Sequence, residues 1–261
     1  MILDKIAERT RLRIEEEKER ISETQMREMA LGMDTGKGRP LERAFAEKAL
    51  SFICEVKKAS PSKGVIAEDF PYLQIAKEYE DAGAAAISVL TEPYFFQGKD
   101  SYLTEIAEHV SIPVLRKDFV LEAYQIYQAR IIGASAVLLI CSLLDKVKLK
   151  TFVAIAQRLG LSPLVEAHSE EEIAMALESG TEIIGVNNRD LKTFEVDIAN
   201  SARLRRLVPD DLFFVSESGI RTSEDIRRLR EDGVNAVLIG ETLMRSGDKK
   251  AALAELRGGQ R

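Results

Sequence analysis

Short apolar runs recur along the chain, and each stops at a polar, usually ionisable, residue. They fall near residues 51–56, 85–90, 112–116, 135–140, 161–166, 182–187, 212–217 and 235–240. They are rich in Val, Ile, Leu and Ala, and several are apolar on both faces, as in a parallel sheet covered on both sides. Amphipathic stretches lie between them. Residues 71–81 carry Leu73, Ile75, Ala76 and Tyr79 on one side, and residues 120–132 carry Leu121, Tyr124, Ile126 and Tyr127, which predicts helices. Ser169-Glu170-Glu171-Glu172 and Thr222-Ser223-Glu224-Asp225 have the form of capping boxes and mark two helix starts. Gly83, Gly133, Gly160, Gly180 and Gly233 each follow a helical pattern, where a glycine closes the last turn. Strand starts recur at roughly 20–35 residues, the size of a βα unit. The pattern predicts an α/β fold, a closed (β/α)8 TIM barrel, with an open doubly wound sheet as the alternative.

The first 48 residues differ. Residues 2–29 are helical in pattern, with Ile6, Ile14 and Ile21 spaced by turns, and the Gly- and Pro-bearing segment 32–40 breaks that helix. Residues 1–48 are therefore expected to form an N-terminal helical extension packed on the barrel, a plug or lid over one end. Residues 49–261 are expected to form the barrel itself, a single domain overall. Apolar repeats in the extension are too sparse for a coiled-coil seam.

Composition narrows the class. The chain has 261 residues, 45% hydrophobic and 31% charged, enough for one well-filled core. A net charge of −6 offers no basic stripe for nucleic acid. The longest apolar stretch, 134–144, is well short of the ~20 residues that span a bilayer. Cys54 and Cys141 lie within apolar runs and read as buried reduced thiols, and the charged start carries no signal-peptide core. These features predict a cytoplasmic protein with no nucleic-acid or membrane partner. His109 and His168 are far apart, without ligand-like spacing, and no phosphate-binding glycine motif for a nucleotide follows a strand. No metal is expected.

Chemistry collects at the carboxyl ends of the predicted strands, where a barrel enzyme keeps its active site. The first strand runs into Glu55 and Lys57, which share a face at i and i+2, and then Ser60. The third ends in Lys117-Asp118-Phe119, the fifth in Glu166, the sixth in Asn187 with Arg189 two further on. The seventh ends in Glu217-Ser218-Gly219 and the eighth, which contains Leu238, in Gly240-Glu241. Phe213, Val215 and Glu217 share one face, as do Ile183, Gly185 and Asn187. One charged residue past a strand is usually a solvated loop residue or a helix cap. Six strand ends alike point to one mouth. The glycines after the seventh and eighth strands suit phosphate bound on backbone N–H groups, provided the Glu241 carboxylate turns outward. His168 and Asp118 read as supporting or solvent-facing residues.

The runs FICEVKKASPSKG, LRKDF, LVEAH, GVNNRDL, VSESGI and LIGETLMR, in this order, resemble the indole-3-glycerol-phosphate synthase family, as does the opening ILDKIAERTRLRIEEEK. The likeness covers nearly the whole chain, and the Glu-x-Lys-x-x-Ser-Pro-Ser signature is its most specific part. It implies a carbon-carbon lyase of tryptophan biosynthesis. Such an enzyme converts 1-(2-carboxyphenylamino)-1-deoxyribulose 5-phosphate into indole-3-glycerol phosphate with loss of CO2 and water, without metal or organic cofactor. It further implies Lys117 as general acid and Glu166 as general base. Glu55, Lys57, Asn187 and Arg189 would orient the reacting groups, with Glu217 and Ser218 in the active site and Phe119 as an aromatic wall. Leu238 would line the substrate site, and Ser60, Gly219, Gly240 and Glu241 would hold phosphate, the last through its backbone. The partner expected is a phosphorylated small molecule, and the chain is expected to be a monomer, with a homodimer as the alternative. Phosphoribosylanthranilate isomerase, a sister barrel, lacks the signature and the N-terminal helix. A non-catalytic barrel binding a phosphorylated aromatic would not need Lys117 and Glu166 together.

Overall fold

Strands apolar on both faces need cover on both faces, and a sheet closed on itself supplies one of them. A computed structural model of the chain describes residues 2–47, 49–190 and 193–259. Three helices come first, α1 (Ile2–Arg20), α2 (Glu23–Leu31) and α3 (Pro40–Ala46). Eight parallel strands follow: β1 (Ser51–Val56), β2 (Ala86–Leu90), β3 (Val114–Lys117), β4 (Ala136–Ile140), β5 (Ser162–Ala167), β6 (Ile183–Asn187), β7 (Phe213–Glu217) and β8 (Ala236–Ile239). They pair in sequence, and β1 pairs with both β2 and β8, which closes a TIM barrel. The helices between and after them are α4 (Tyr72–Asp81), α5 (Asp100–His109), α6 (Ala123–Ile131), α7 (Lys146–Arg158), α8 (Glu170–Ser179), α9 (Ala199–Arg205), α10 (Ser223–Glu231), α11 (Glu241–Met244) and α12 (Lys249–Leu256). The five glycines expected to close helices all have positive φ.

Alternation along the strands makes two cores. Ile53, Leu115, Leu164, Ile183 and Val215 fill the barrel interior, while their neighbours Cys54, Val165, Ile184 and Phe214 face the helices. β3 begins two residues later than the sequence pattern suggests, after Pro113, whose ring removes the ladder N–H. It therefore runs through Lys117, which points inward, and turns Arg116 out into the helix layer. There Arg116 is wholly buried, bonded to Asp100 (3.0 Å) on α5 and to Gln128 (2.8 Å) on α6.

The expected single helix over 2–29 is two helices. Ser22 ends the first by opening a capping box with Gln25, so the chain bends between Arg20 and Glu23. α1 buries Ile6, Ala7, Thr10, Arg13 and Ile14 along one stripe and lies across the carboxyl-end loops. Arg13 reaches Asp118 (2.9 and 3.0 Å), Lys18 reaches Glu122 (2.5 Å), and the Arg9 guanidinium covers the Tyr94 ring at 4.3 Å. α3 sits at the opposite end. Its Leu41 and Phe45 join the interior core, Phe45 meets Phe213 edge-on at 5.8 Å, and Ser162 Oγ accepts from the Leu41 N–H and donates to Glu42. One barrel end is filled by α3 and the other is overhung by α1. Among the described residues no helix is long and apolar enough to cross a membrane.

Candidate active site

Register decides which side chains meet. Lys117 stands beside Leu90, Glu166 beside Gly185 and Ile140, and Glu217 beside Asn187 and Leu238. The Lys117 ammonium reaches Glu217 at 2.6 Å and Glu166 at 3.2 Å, and both carboxylates are buried. Burial pulls the lysine pKa down, but Glu217, Glu166 and Glu55 together outweigh it and hold the ammonium protonated. Glu217 goes the other way. Burial, helped by Glu166 and Glu55, pushes it up to about 7 against the pull of Lys117. Its Oε1 is buried without a hydrogen-bond partner. Burial also opposes charge on Glu166, yet Lys117, His168 and a hydrogen bond from Asn187 keep it below the usual range. Room for this cluster comes from Gly185, where an added Cβ would sit 2.5 Å from Glu217 Oε1.

Glu55 and Lys57 pair at 2.5 Å on the same rim, and Ser88 Oγ stands 3.5 Å from the second Glu55 oxygen. A Cβ at residue 240 would lie 2.4 Å from Glu55 Oε1 and 3.0 Å from Lys57 Nζ, so only glycine leaves this pair its place. Ser60 lies in a small antiparallel ribbon, Ala59–Ser60 against Gly64–Val65, which the sequence pattern did not predict.

The far rim is built for backbone donors. Ser218 takes a left-handed conformation (φ 68°) that a serine rarely adopts, directly before Gly219 (φ 84°). Asn188 pins this turn by donating to Ser216 Oγ (3.0 Å) and the Ser218 carbonyl (3.1 Å). Of the adjacent asparagines, Asn187 thus faces the cavity and Asn188 holds the scaffold. Gly240 caps the start of α11, and the first N–H groups of a helix lack internal partners. The Glu241 carboxylate turns toward Arg245 (3.2 Å) and Lys63 (3.7 Å), away from those N–H groups.

The reactive groups among these surround one cavity of about 370 Å3. Its lining includes every residue singled out from the sequence: Glu55, Lys57, Ser60, Lys117, Phe119, Glu166, Asn187, Arg189, Glu217, Ser218, Gly219, Leu238, Gly240 and Glu241. Sequence reasoning missed Ile2, Leu3 and Ile6 of α1, Phe96 in the loop after β2, and Arg221 and Arg245 beside the far rim. Phe96 carries no local signal. It is placed by Glu92, which accepts from the Tyr94, Phe95 and Phe96 N–H groups, and its ring lies 5.9 Å from Phe119. Asp118 is fully buried and structural, gripped by Arg13, Arg116 and Thr91. Arg189 donates to the Phe194 carbonyl (3.2 Å), and Leu191 of the GVNNRDL run lies outside the described residues. Among the described residues no three His, Cys, Asp or Glu side chains form a group suited to a metal ion.

A family model described as indole-3-glycerol phosphate synthase matches residues 3–256. An indole-3-glycerol phosphate synthase of Ruminiclostridium cellulolyticum is 60% identical over 258 residues, covering 99% of each chain. One of Endomicrobium trichonymphae is 57% identical, covering 98% of this chain and 100% of its own. Among solved structures, 3-hexulose-6-phosphate synthase from Salmonella typhimurium superposes with a TM-score of 0.65 at 12% identity, over 80% of this chain and 97% of its own, a likeness of fold alone.

Proposed function

The chain belongs to the indole-3-glycerol phosphate synthase family, and from that premise we propose how its residues share the reaction. The enzyme is a carboxy-lyase of tryptophan biosynthesis. It closes the ring of 1-(2-carboxyphenylamino)-1-deoxyribulose 5-phosphate, releases CO2, and expels water to leave indole-3-glycerol phosphate.

The phosphate binds the far rim, on the N–H groups of Gly219, Gly240 and Glu241 with the Ser60 hydroxyl, and Ser218 orders that turn. Lys57 and Arg189 face the aryl carboxylate, and Glu55 holds Lys57. Phe119 and Leu238 enclose the aromatic ring. The aryl carbon attacks the ketone, and Lys117 protonates the oxygen as its charge develops. CO2 leaves with its bonding electrons returned to the ring. The hydroxyl then departs as water, and Glu166, oriented by Asn187, removes the carbon-bound proton that completes the indole. Glu217 holds Lys117 in line. Binding at the phosphate, remote from the reacting carbons, supplies the orientation.

One observation carries this reading: an ammonium bridges two buried carboxylates on the wall of a cavity whose opposite rim is glycine backbone at a helix start. The test is conversion of the carboxyphenylamino substrate, followed by indole fluorescence, with Lys117→Ala and Glu166→Gln beside the parent. Full turnover by either variant removes that residue from the scheme. Residues 1–48 are read as an extension serving both barrel ends, and 49–261 as the barrel, with Lys48 at the boundary outside the described residues. The chain is read as a cytoplasmic monomer, with Cys54 and Cys141 as buried thiols. Light scattering at the 29.1 kDa of one chain checks the oligomeric part.

A further inference from the structure

Stoichiometry sets a demand that the cavity lining does not meet. At neutral pH the substrate enters as a carboxylate and leaves as neutral CO2. Two protons are given, one to the ketone oxygen and one to the departing hydroxyl, and one is taken from carbon. Each turnover therefore draws one proton from solvent. Lys117, Glu166 and Glu217 exchange protons among themselves over 2.6 and 3.2 Å, but the two carboxylates are buried and Lys117 faces only the cavity that the substrate fills. Once the cavity is filled, that proton needs a route that does not pass through it.

His168 stands where such a route would run. It is two residues past Glu166, at the end of β5, and its side chain lies behind the cavity wall. Its Nε2 is 3.5 Å from Glu166 Oε1, and this nitrogen is buried without a hydrogen-bond partner. Its Nδ1 is 3.1 Å from Glu172 Oε2 on the first turn of α8. Exposure grows along the line, from 3% for the Glu166 side chain to 19% for His168 and 22% for Glu172. Glu172 also accepts from the His168 backbone N–H at 2.7 Å, so it anchors the residue at two points. The charged and titratable groups facing it are Glu166 from β5, Glu172 from α8 and Glu217 from β7, with the Cys141 thiol after β4 beside the first two. All are acids. Burial alone would discharge the imidazole, but Glu172, Glu166 and Glu217 outweigh it and raise its pKa.

We infer that His168 is the proton-delivery residue of this active site, passing a proton from solvent at Glu172 inward to Glu166. The imidazolium gives its Nε2 proton to Glu166 and is left as the Nδ1–H tautomer; the ring then turns to present the bare Nε2 to Glu172 and water, takes up a proton there and turns back, so it ends each turnover as it began. A 3.5 Å gap closes to a hydrogen bond with a small shift of either side chain. His168 touches neither substrate nor reacting atoms. It is a positioning residue that acts through Glu166, and the inference rests on the role proposed for Glu166.

The test uses His168→Ala, His168→Asn and Glu166→Gln in one fluorescence assay with the parent. The Glu172 bond to the backbone N–H survives both histidine changes, which keeps the start of α8 in place. The expected result for both is a loss of kcat of roughly tenfold to a hundredfold, below that of a group touching the reacting atoms, with KM unchanged. Imidazole added to His168→Ala restores turnover saturably, more at pH values below its own pKa, where it is an acid. His168→Asn, whose space is more nearly filled, gains less. Parental kcat in both variants, or a loss that imidazole does not relieve, overturns the inference. Should Glu166→Gln keep full turnover, the role of Glu166 fails. Should it be inactive while the histidine variants are unaffected, only the relay fails.

Discussion

Lys117 sits between two buried carboxylates, and removing its ammonium leaves Glu217 without a counter-charge and Glu166 with His168 alone. An uncompensated buried charge is costly, so the site answers by taking up a proton. Glu217, already raised to about 7, is the group that takes it. Lys117→Ala should therefore lower kcat by ~10²–10⁴-fold, the usual loss for an acid–base residue, and still fold. The sign of its stability change with pH follows. A carboxyl whose folded pKa exceeds its unfolded value contributes stability that is full below the unfolded value, about 4.3, and is lost as pH rises through the folded one. In the variant that folded pKa is higher still, so the two proteins lose stability alike up to about pH 7 and the melting-temperature gap should widen as pH rises beyond it. A gap independent of pH would contradict the proton uptake. Glu217→Gln makes the complementary measurement. The kcat/KM profile of the parent should carry an ionisation near the raised Glu217 value, about 7, and the variant should lack it.

At the scale of elements, α1 and α3 separate function from stability. α1 contributes Ile2, Leu3 and Ile6 to the cavity and is tethered through Arg13, whereas α3 contributes Leu41 and Phe45 to the interior core. Removal of residues 1–20 is expected to raise KM while the barrel stays folded, with a melting temperature lowered by the loss of the Arg13–Asp118 contact. Leu41→Ala, at a position with no exposed surface, is expected to cost about 2–5 kcal/mol in denaturant unfolding with kcat preserved. This difference also shows where the sequence was legible. The strands stood out because both faces are apolar, and Glu55, Glu166 and Glu217 because a charge at the end of such a strand breaks the pattern. Local signals went unread at Ser22, where a capping box divides the first helix, and at Pro40, which opens α3. Phe96 and Arg116 are different in kind. Their positions depend on contacts with Glu92 and with α5 and α6, which no local pattern encodes.

For the molecule as a whole, a buried junction at Asp118 ties the N-terminal helix to the barrel. Asp118 accepts from Arg13, Arg116 and Thr91, with exposure of 1%. Burial opposes its charge, but the two guanidiniums prevail and hold its pKa below the usual value. Its contribution is therefore fully present above the unfolded pKa, about 3.9, and is lost as pH falls through the lower folded value. Arg13→Leu should weaken this dependence, so acid titration from about pH 4 downward should destabilise the variant less steeply than the parent. An equally steep decline would place the acid-sensitive group elsewhere.

The junction between Arg13 and Asp118 spans 105 residues, and that between Glu42 and Ser162 spans 120. A ribosome makes chain from the amino terminus onward at roughly 5–20 residues per second. The segments that finish both ends of the barrel are thus born first and must wait, for seconds, until β3 and β5 exist to receive them. Through that interval Ile6, Ile14, Leu41 and Phe45, all buried in the finished protein, have no native surface to cover them. Translation speed and chaperone access should bear on the yield of this enzyme chiefly through its first few dozen residues.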